Sequence, residues 1–112
     1  MSVSTPSVAE ICDTAAELIV EKGWWDGRKM SNGCFCLVTS VVTATSKLMP
    51  SIPTHTERTD AIEVESLAFN AIKRQVWPDI EPVERVGMSL ADWNDNHTEA
   101  DVVRVLREAA AS

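Results

Sequence analysis

The residues best equipped for chemistry in this chain are Cys34, Cys36 and His97. Cys36 opens an uncharged run, Cys34 to Ala44, that reads as a helix. A thiol at a helix N-terminus is drawn toward the thiolate by the helix dipole. His97 follows downstream beside Asn94, Asp95 and Asn96. Cysteine first, then histidine with an amide or carboxylate next to it, is the order of parts in papain-like hydrolases. The chain has no glycine-cysteine-tryptophan nucleophile signature. Free cysteine is also among the most buried residue types, so Cys36 is read first as a small, inert core residue.

Other chemistries find less support. Cys12, Cys34, Cys36, His55 and His97 are potential metal ligands. A single Cys-x-Cys lacks the paired spacing of zinc sites. On one helix Cys34 and Cys36 point about 200° apart, at ~100° per residue. Glu63 and Glu65 cannot share a helix face, and Asp92, Asp95 and Asp101 sit near helix starts, where capping accounts for them. Gly23, Gly27, Gly33 and Gly87 are isolated, so no phosphate-cradling loop is present. Neither a metal nor a cofactor is expected, and catalysis is not the preferred reading.

Tryptophan points to a binding surface instead. Trp24, Trp25, Trp77 and Trp93 are four of six aromatic residues, and all fall at the ends of elements or in loops. Tryptophan is frequent in interface hot spots. Arg28 beside Trp24 and Trp25 offers a polar rim. The candidate binding residues are Trp24, Trp25, Arg28, Trp93, Asn94 and Asp95. The competing reading is that the tryptophans lock helix ends onto the core, which a domain this small needs for its own stability.

The elements that must position these residues read as helices. Thr5 caps and Pro6 opens a first helix over about 6–22, with Val8, Ile11, Cys12, Ala15, Leu18 and Ile19 on one face and Gly23 past its end. The central helix runs from about 34 to 48. Its β-branched residues would also suit a strand, but its length favours helix. Pro50 to Thr56 reads as a loop. Thr59 or Asp60 then caps a third helix, with an apolar stripe of Val64, Leu67, Ala68, Ala71, Ile72 and Val76 that ends before Pro78. Asp79 to Val86 is a connector. Ser89 to Asp92 starts a short helix, and Trp93 to His97 breaks it. Thr98 with Asp101 forms a capping box for the last helix, which buries Val102, Val103 or Val105, Leu106, Ala109 and Ala110. The small-residue tail, Ala109 to Ser112, is expected to fray. The expectation is an all-α, compact bundle of four to five helices around the central helix, in a single domain over 1–112.

The chain has 112 residues and a net charge of -7. That balance argues against nucleic acid and anionic membrane as partners. Arg28-Lys29 and Lys73-Arg74 are its only adjacent basic pairs. Three cysteines, an odd number, and no signal-like N-terminus suggest reduced thiols and a cytoplasmic location. The uncharged run is far shorter than the ~20 residues that span a bilayer.

Three blocks carry a resemblance. They are Gly23-Trp24-Trp25-Asp26-Gly27 after a helix, Gly33-Cys34-Phe35-Cys36-Leu37 opening an apolar helix, and Trp93-Asn94-Asp95 followed by Thr98 and Val102. With them the chain resembles a small domain family of unknown function from actinobacteria and their phages. That family has a Gly-Trp-x-x-Gly block, a cysteine matching Cys36, and a Trp-Asn-Asp…Thr-x-x-x-Val ending. The resemblance implies a compact, mostly helical fold and no established activity. His97 falls where the family pattern specifies nothing, which counts against the hydrolase. Cys34 and Trp25 look particular to this sequence.

The preferred reading is a small cytoplasmic interaction or regulatory protein, phage-encoded, that binds a host protein as a monomer or homodimer. The alternatives are a cysteine-dependent hydrolase using Cys36 and a small-ligand binder with Trp24, Trp25 and Arg28 lining a pocket. One spatial expectation follows: the two tryptophan blocks lie close together.

Overall fold

Local capping rules and apolar periodicity produce six helices among the described residues: α1 (Val8–Lys22), α2 (Leu37–Leu48), α3 (His55–Val76), α4 (Pro82–Arg85), α5 (Leu90–Asp95) and α6 (Glu99–Ala111). The structure is a computed structural model that describes residues 6–24, 36–49 and 61–112 in full and 55–60 by backbone alone. There is no β-strand among the described residues. The fold is all-α, as the helical periodicities require.

Helix α1 is capped by Ser7, so Pro6 precedes the helix instead of opening it, and Thr5, expected as the cap, lies outside the described residues. The Glu10 N–H donates to Ser7 Oγ at 3.1 Å, and the Ser7 N–H donates to Glu10 Oε1 at 3.1 Å. This reciprocal pair satisfies two amide donors that the helix itself leaves unpaired. At the other end Gly23 has φ 104° and its N–H donates to the Ile19 carbonyl at 2.8 Å. A side chain would be strained at that angle, which is why glycine stands there. Between the caps, Ile11, Cys12, Ala15, Ala16 and Ile19 are fully buried and Leu18 nearly so. α1 packs against α2, α3 and α6, so it shares the centre of the bundle with α2.

Helix α6 supplies the largest partner surface to α1, through Val102, Val105, Leu106 and Ala109. Its start is as expected: the Asp101 N–H donates to Thr98 Oγ1 at 3.2 Å, and the Thr98 N–H donates to Asp101 Oδ2 at 3.3 Å. Val105 takes the buried position and Val103 is half-buried. The helix continues to Ala111, so the small-residue tail is helical where fraying was expected. Alanine's high helix propensity supports this. An exposed ion pair, Arg107 Nη1 to Asp13 Oδ1 at 2.9 Å, links the rims of α6 and α1. Such pairs are worth about 0–1 kcal/mol.

The β-branched run of α2 is helical because it buries one face, Leu37, Ser40, Val41, Ala44 and Thr45, against α1 and α3. Its buried hydroxyls return to the helix's own carbonyls: Ser40 Oγ donates to Leu37 O at 2.7 Å and Thr45 Oγ1 to Val41 O at 2.9 Å. Those bonds remove the cost of burying the hydroxyls. The opposite face carries exposed Thr39, Val42, Ser46 and Lys47.

Several boundaries differ from the sequence expectations. α3 starts at His55, so positions 59 and 60, expected as its cap, lie within it. A proline stops a helix extending back through it but does not prevent one starting after it. On α3 the residues Ala61, Val64, Ala68, Ala71 and Ile72 are buried, whereas Leu67 is exposed. The buried stripe packs inside the molecule, against α1, α2 and α6. The connector after Pro78 contains α4, with Pro82 in its first turn, where no amide donor is needed. The Asp92 N–H donates to Ser89 Oγ at 3.2 Å, and α5 then runs through Trp93 and Asn94 to Asp95 instead of breaking at Trp93. Burial of Asn94 holds that last turn in place. No described helix is long and apolar enough to cross a membrane.

Candidate functional site

The two tryptophan blocks meet at Asn94. The Trp24 indole Nε1 donates to Asn94 Oδ1 at 2.8 Å, and the Leu37 backbone N–H donates to the same oxygen at 3.1 Å. Two N–H donors converge on one atom, which identifies it as the amide oxygen. Asn94 Nδ2 donates to Asp95 Oδ1 at 3.3 Å. Asn94 is fully buried. One side chain thus joins the end of α1, the first turn of α2 and α5. Leu37 N–H is one of the donors that the start of α2 cannot satisfy internally, and Asn94 supplies its acceptor. Trp24, Trp77 and Trp93 are each half-buried and packed on the core. Trp25 and Arg28 lie outside the described residues.

Cys36 is not a buried core residue. It is the half-buried N-cap of α2: its Sγ accepts from the Thr39 N–H at 3.3 Å and lies 3.0 Å from Thr39 Oγ1. An N-cap needs an acceptor in extended backbone, and here a sulfur fills the role usually taken by serine. Cys12, by contrast, is fully buried in α1, and burial pushes its thiol up to about 11, with Asp13 adding to the effect. Cys34 lies outside the described residues. His97 is exposed and lies after α5, turned back onto it: Nδ1 donates to the Trp93 carbonyl at 2.6 Å, and the ring stacks on Trp93 at 4.1 Å and 21°. A carbonyl only accepts, so Nδ1 carries the hydrogen. Among the described residues no hydrogen bond links Cys36 to His97, and no three potential ligands cluster as a metal site.

Among the described residues two carboxyls are shifted. The Thr98 backbone N–H, then the Thr98 hydroxyl, Arg104 and His97, hold Asp101 below the usual carboxylate range. Burial raises Glu65 on α3.

The open surface lies elsewhere. A groove of about 390 Å³ runs between α3 and the start of α5, lined by Ser66, Phe69, Asn70 and Lys73 on one side and Met88 to Ala91 on the other, with Val38 from α2. At ~100° per residue, Ile62 shares the α3 face of Ser66, Phe69 and Lys73. Ile62 is 63% exposed. The groove ends in a second cavity of about 180 Å³ bordered by Asn70, Lys73, Arg74, Pro82, Arg85 and Val86. None of these residues was among the candidates from sequence. The available signals were the Lys73-Arg74 pair and two apolar residues, Ile62 and Phe69, off the main stripe of α3.

The model of a family described as a family of unknown function (DUF6197) matches residues 3–112. No curated protein and no solved structure matches the chain.

Proposed function

The chain belongs to that family of unknown function, and from that premise we propose that it is a non-catalytic interaction protein that binds another protein through the groove between α3 and α5. One observation carries the reading: an open groove with Phe69, Met88 and Leu90 in its lining continues along α3 into exposed Ile62. Apolar surface that runs on from a groove lining to a neighbouring exposed side chain marks an interaction site where a single exposed residue would not. Grooves of this type take a partner segment by its apolar residues. Against a catalytic pair, Cys36 is engaged with Thr39 in the first turn of α2 and His97 with Trp93 of α5. The odd cysteine count suits a reducing cytoplasm. For a phage-encoded copy, a host protein would be the partner to seek.

The test is a paired substitution on α3. Leu67 is 52% exposed and about 140° around the helix from Ile62, so it faces away from the groove. A photo-crosslinking residue at Ser66 should capture a discrete host protein. Ile62→Glu should abolish that capture and Leu67→Glu should preserve it. Equal loss in both variants, or equal retention, would refute the groove as the binding surface.

A further inference from the structure

We propose that Lys73, Arg74 and Arg85 form a binding site for a phosphate group at the end of the groove. Three of the ten basic residues of a chain with net charge -7 converge on this one small cavity, from two segments joined by the Pro78 turn. Their surroundings differ from those of the other well-placed arginines. Arg104 lies within ion-pair distance of Asp101 and Glu108, and Arg107 within that of Asp13. Among the described residues no carboxylate comes that close to Lys73, Arg74 or Arg85.

Backbone carbonyls hold two of the three cations in place. Lys73 Nζ donates to Val86 O at 3.1 Å, and Arg85 Nη1 donates to Trp77 O at 3.3 Å. A carbonyl orients a cation without neutralising it. An ammonium has three donors and a guanidinium five, so most remain available. The dipole of α3 favours Lys73 and Arg74 in its last turn. It gives no reason for Arg85, which arrives from α4. Guanidinium forks match the oxygens of a phosphate, and positions already fixed by the fold lower the ordering cost of binding.

The dimensions suit a phosphate group bearing a substituent. Water occupies ~30 Å³ in the liquid, and the cavity of about 180 Å³ is several times that size. Asn70 and Lys73 line both this cavity and the larger groove, so a substituent on the phosphate would extend over Phe69 and Met88. The same chemistry has two sources: a phosphorylated small molecule, or a phosphorylated side chain of a protein. The site does not depend on the groove binding a protein.

The experiment is a heteronuclear NMR titration of the full chain with three probes. They are inorganic phosphate, a leucine-containing phosphoserine peptide, and the same peptide unphosphorylated. Phosphate should give saturable shifts at Lys73, Arg74 and Arg85 that sodium chloride at equal ionic strength does not reproduce. Arg74→Glu should weaken them at least tenfold. Arg74 has no hydrogen-bond or ion-pair partner among the described residues, so this variant keeps the fold; Arg85→Gln is the second variant and should act in the same direction. A phosphopeptide binding tenfold tighter than phosphate, with the unphosphorylated peptide silent, assigns the group to a protein. Equal affinities for phosphate and phosphopeptide assign it to a small ligand. Shifts that do not saturate, that chloride reproduces, or that persist in Arg74→Glu overturn the site. Loss of phosphate binding with crosslinking at Ser66 intact would sink this site alone and leave the groove reading standing.

Discussion

Two corners of the molecule use the same device and end with opposite properties. At one, the Asn94 amide ties together segments 70 and 57 residues away, Trp24 and Leu37. At the other, Lys73 and Arg85 pin the Trp77–Val86 segment onto α3 through two backbone carbonyls. The first is neutral and buried, and its oxygen is spent on the fold. The second is charged and accessible, and its donors exceed its acceptors. A buried amide gains nothing by keeping a lone pair free, because an unpaired polar group away from water is costly. An exposed cation loses little by going unpaired. The difference teaches that clustered tryptophans and amides can be structural joints, while an unremarkable lysine-arginine pair marks the accessible surface.

The largest effect expected is at the closed corner. Asn94→Ala removes the acceptor for both the Trp24 indole and the Leu37 amide. A buried donor left unsatisfied costs about 1–3 kcal/mol. Trp24 is only half-buried and can recover a water. The expected total is about 2–4 kcal/mol in urea unfolding, with the slope unchanged. A loss below about 1 kcal/mol, within the range of ordinary surface changes, would show that this corner is no more committed to the fold than the open one.

Much of the fold was legible because its signals are local. The Thr98–Asp101 box, the Ser89 cap, Gly23 and the apolar faces of α1 and α6 each depend on residues within a turn or two. The start of α3 and the extent of α5 were not. Helix α5 is kept intact through Asn94 by a contact with Trp24, 70 positions away, that no window of sequence contains. The meeting of the two tryptophan blocks was anticipated from their shared character, but the identity of Asn94 as a buried linker was not. The cation corner was hidden for the same reason. Lys73 and Arg85 approach only because the chain reverses after Pro78, and a connector's geometry has no periodicity to read.

A smaller effect separates the two corners by pH. The capping box follows directly on the Asn94 helix, and its carboxylate is shifted down in the folded state. A carboxyl with a depressed folded pKa contributes stability above its unfolded pKa and loses it as pH falls toward the folded one. Stability should therefore decline as pH drops below about 4, and Asp101→Asn should flatten that part of the profile. Thr98→Ala, which removes the cap acceptor, should cost about 1 kcal/mol at neutral pH. Arg74→Ala should leave the acid limb of the profile unchanged. If it moved that limb as Asp101→Asn does, the open corner would be coupled to the box and the contrast would fail.

The smallest expected effect is the most informative about the open corner. Arg74 is exposed and has no hydrogen-bond or ion-pair partner among the described residues. Replacing it with alanine gives up a favourable interaction with the C-terminal dipole of α3, worth about 0.3–1 kcal/mol. Alanine's higher helix propensity offsets a few tenths of that. The net change in unfolding free energy should fall within about 0.5 kcal/mol. The same variant should weaken phosphate binding, because the dipole interaction bears only on the last turn of α3 while the missing guanidinium would contact the anion directly. A cation held for the fold would show the reverse pattern: clear destabilisation and no change in anion binding. Arg74 thus decides whether the charge at this corner is a by-product of helix termination or a site.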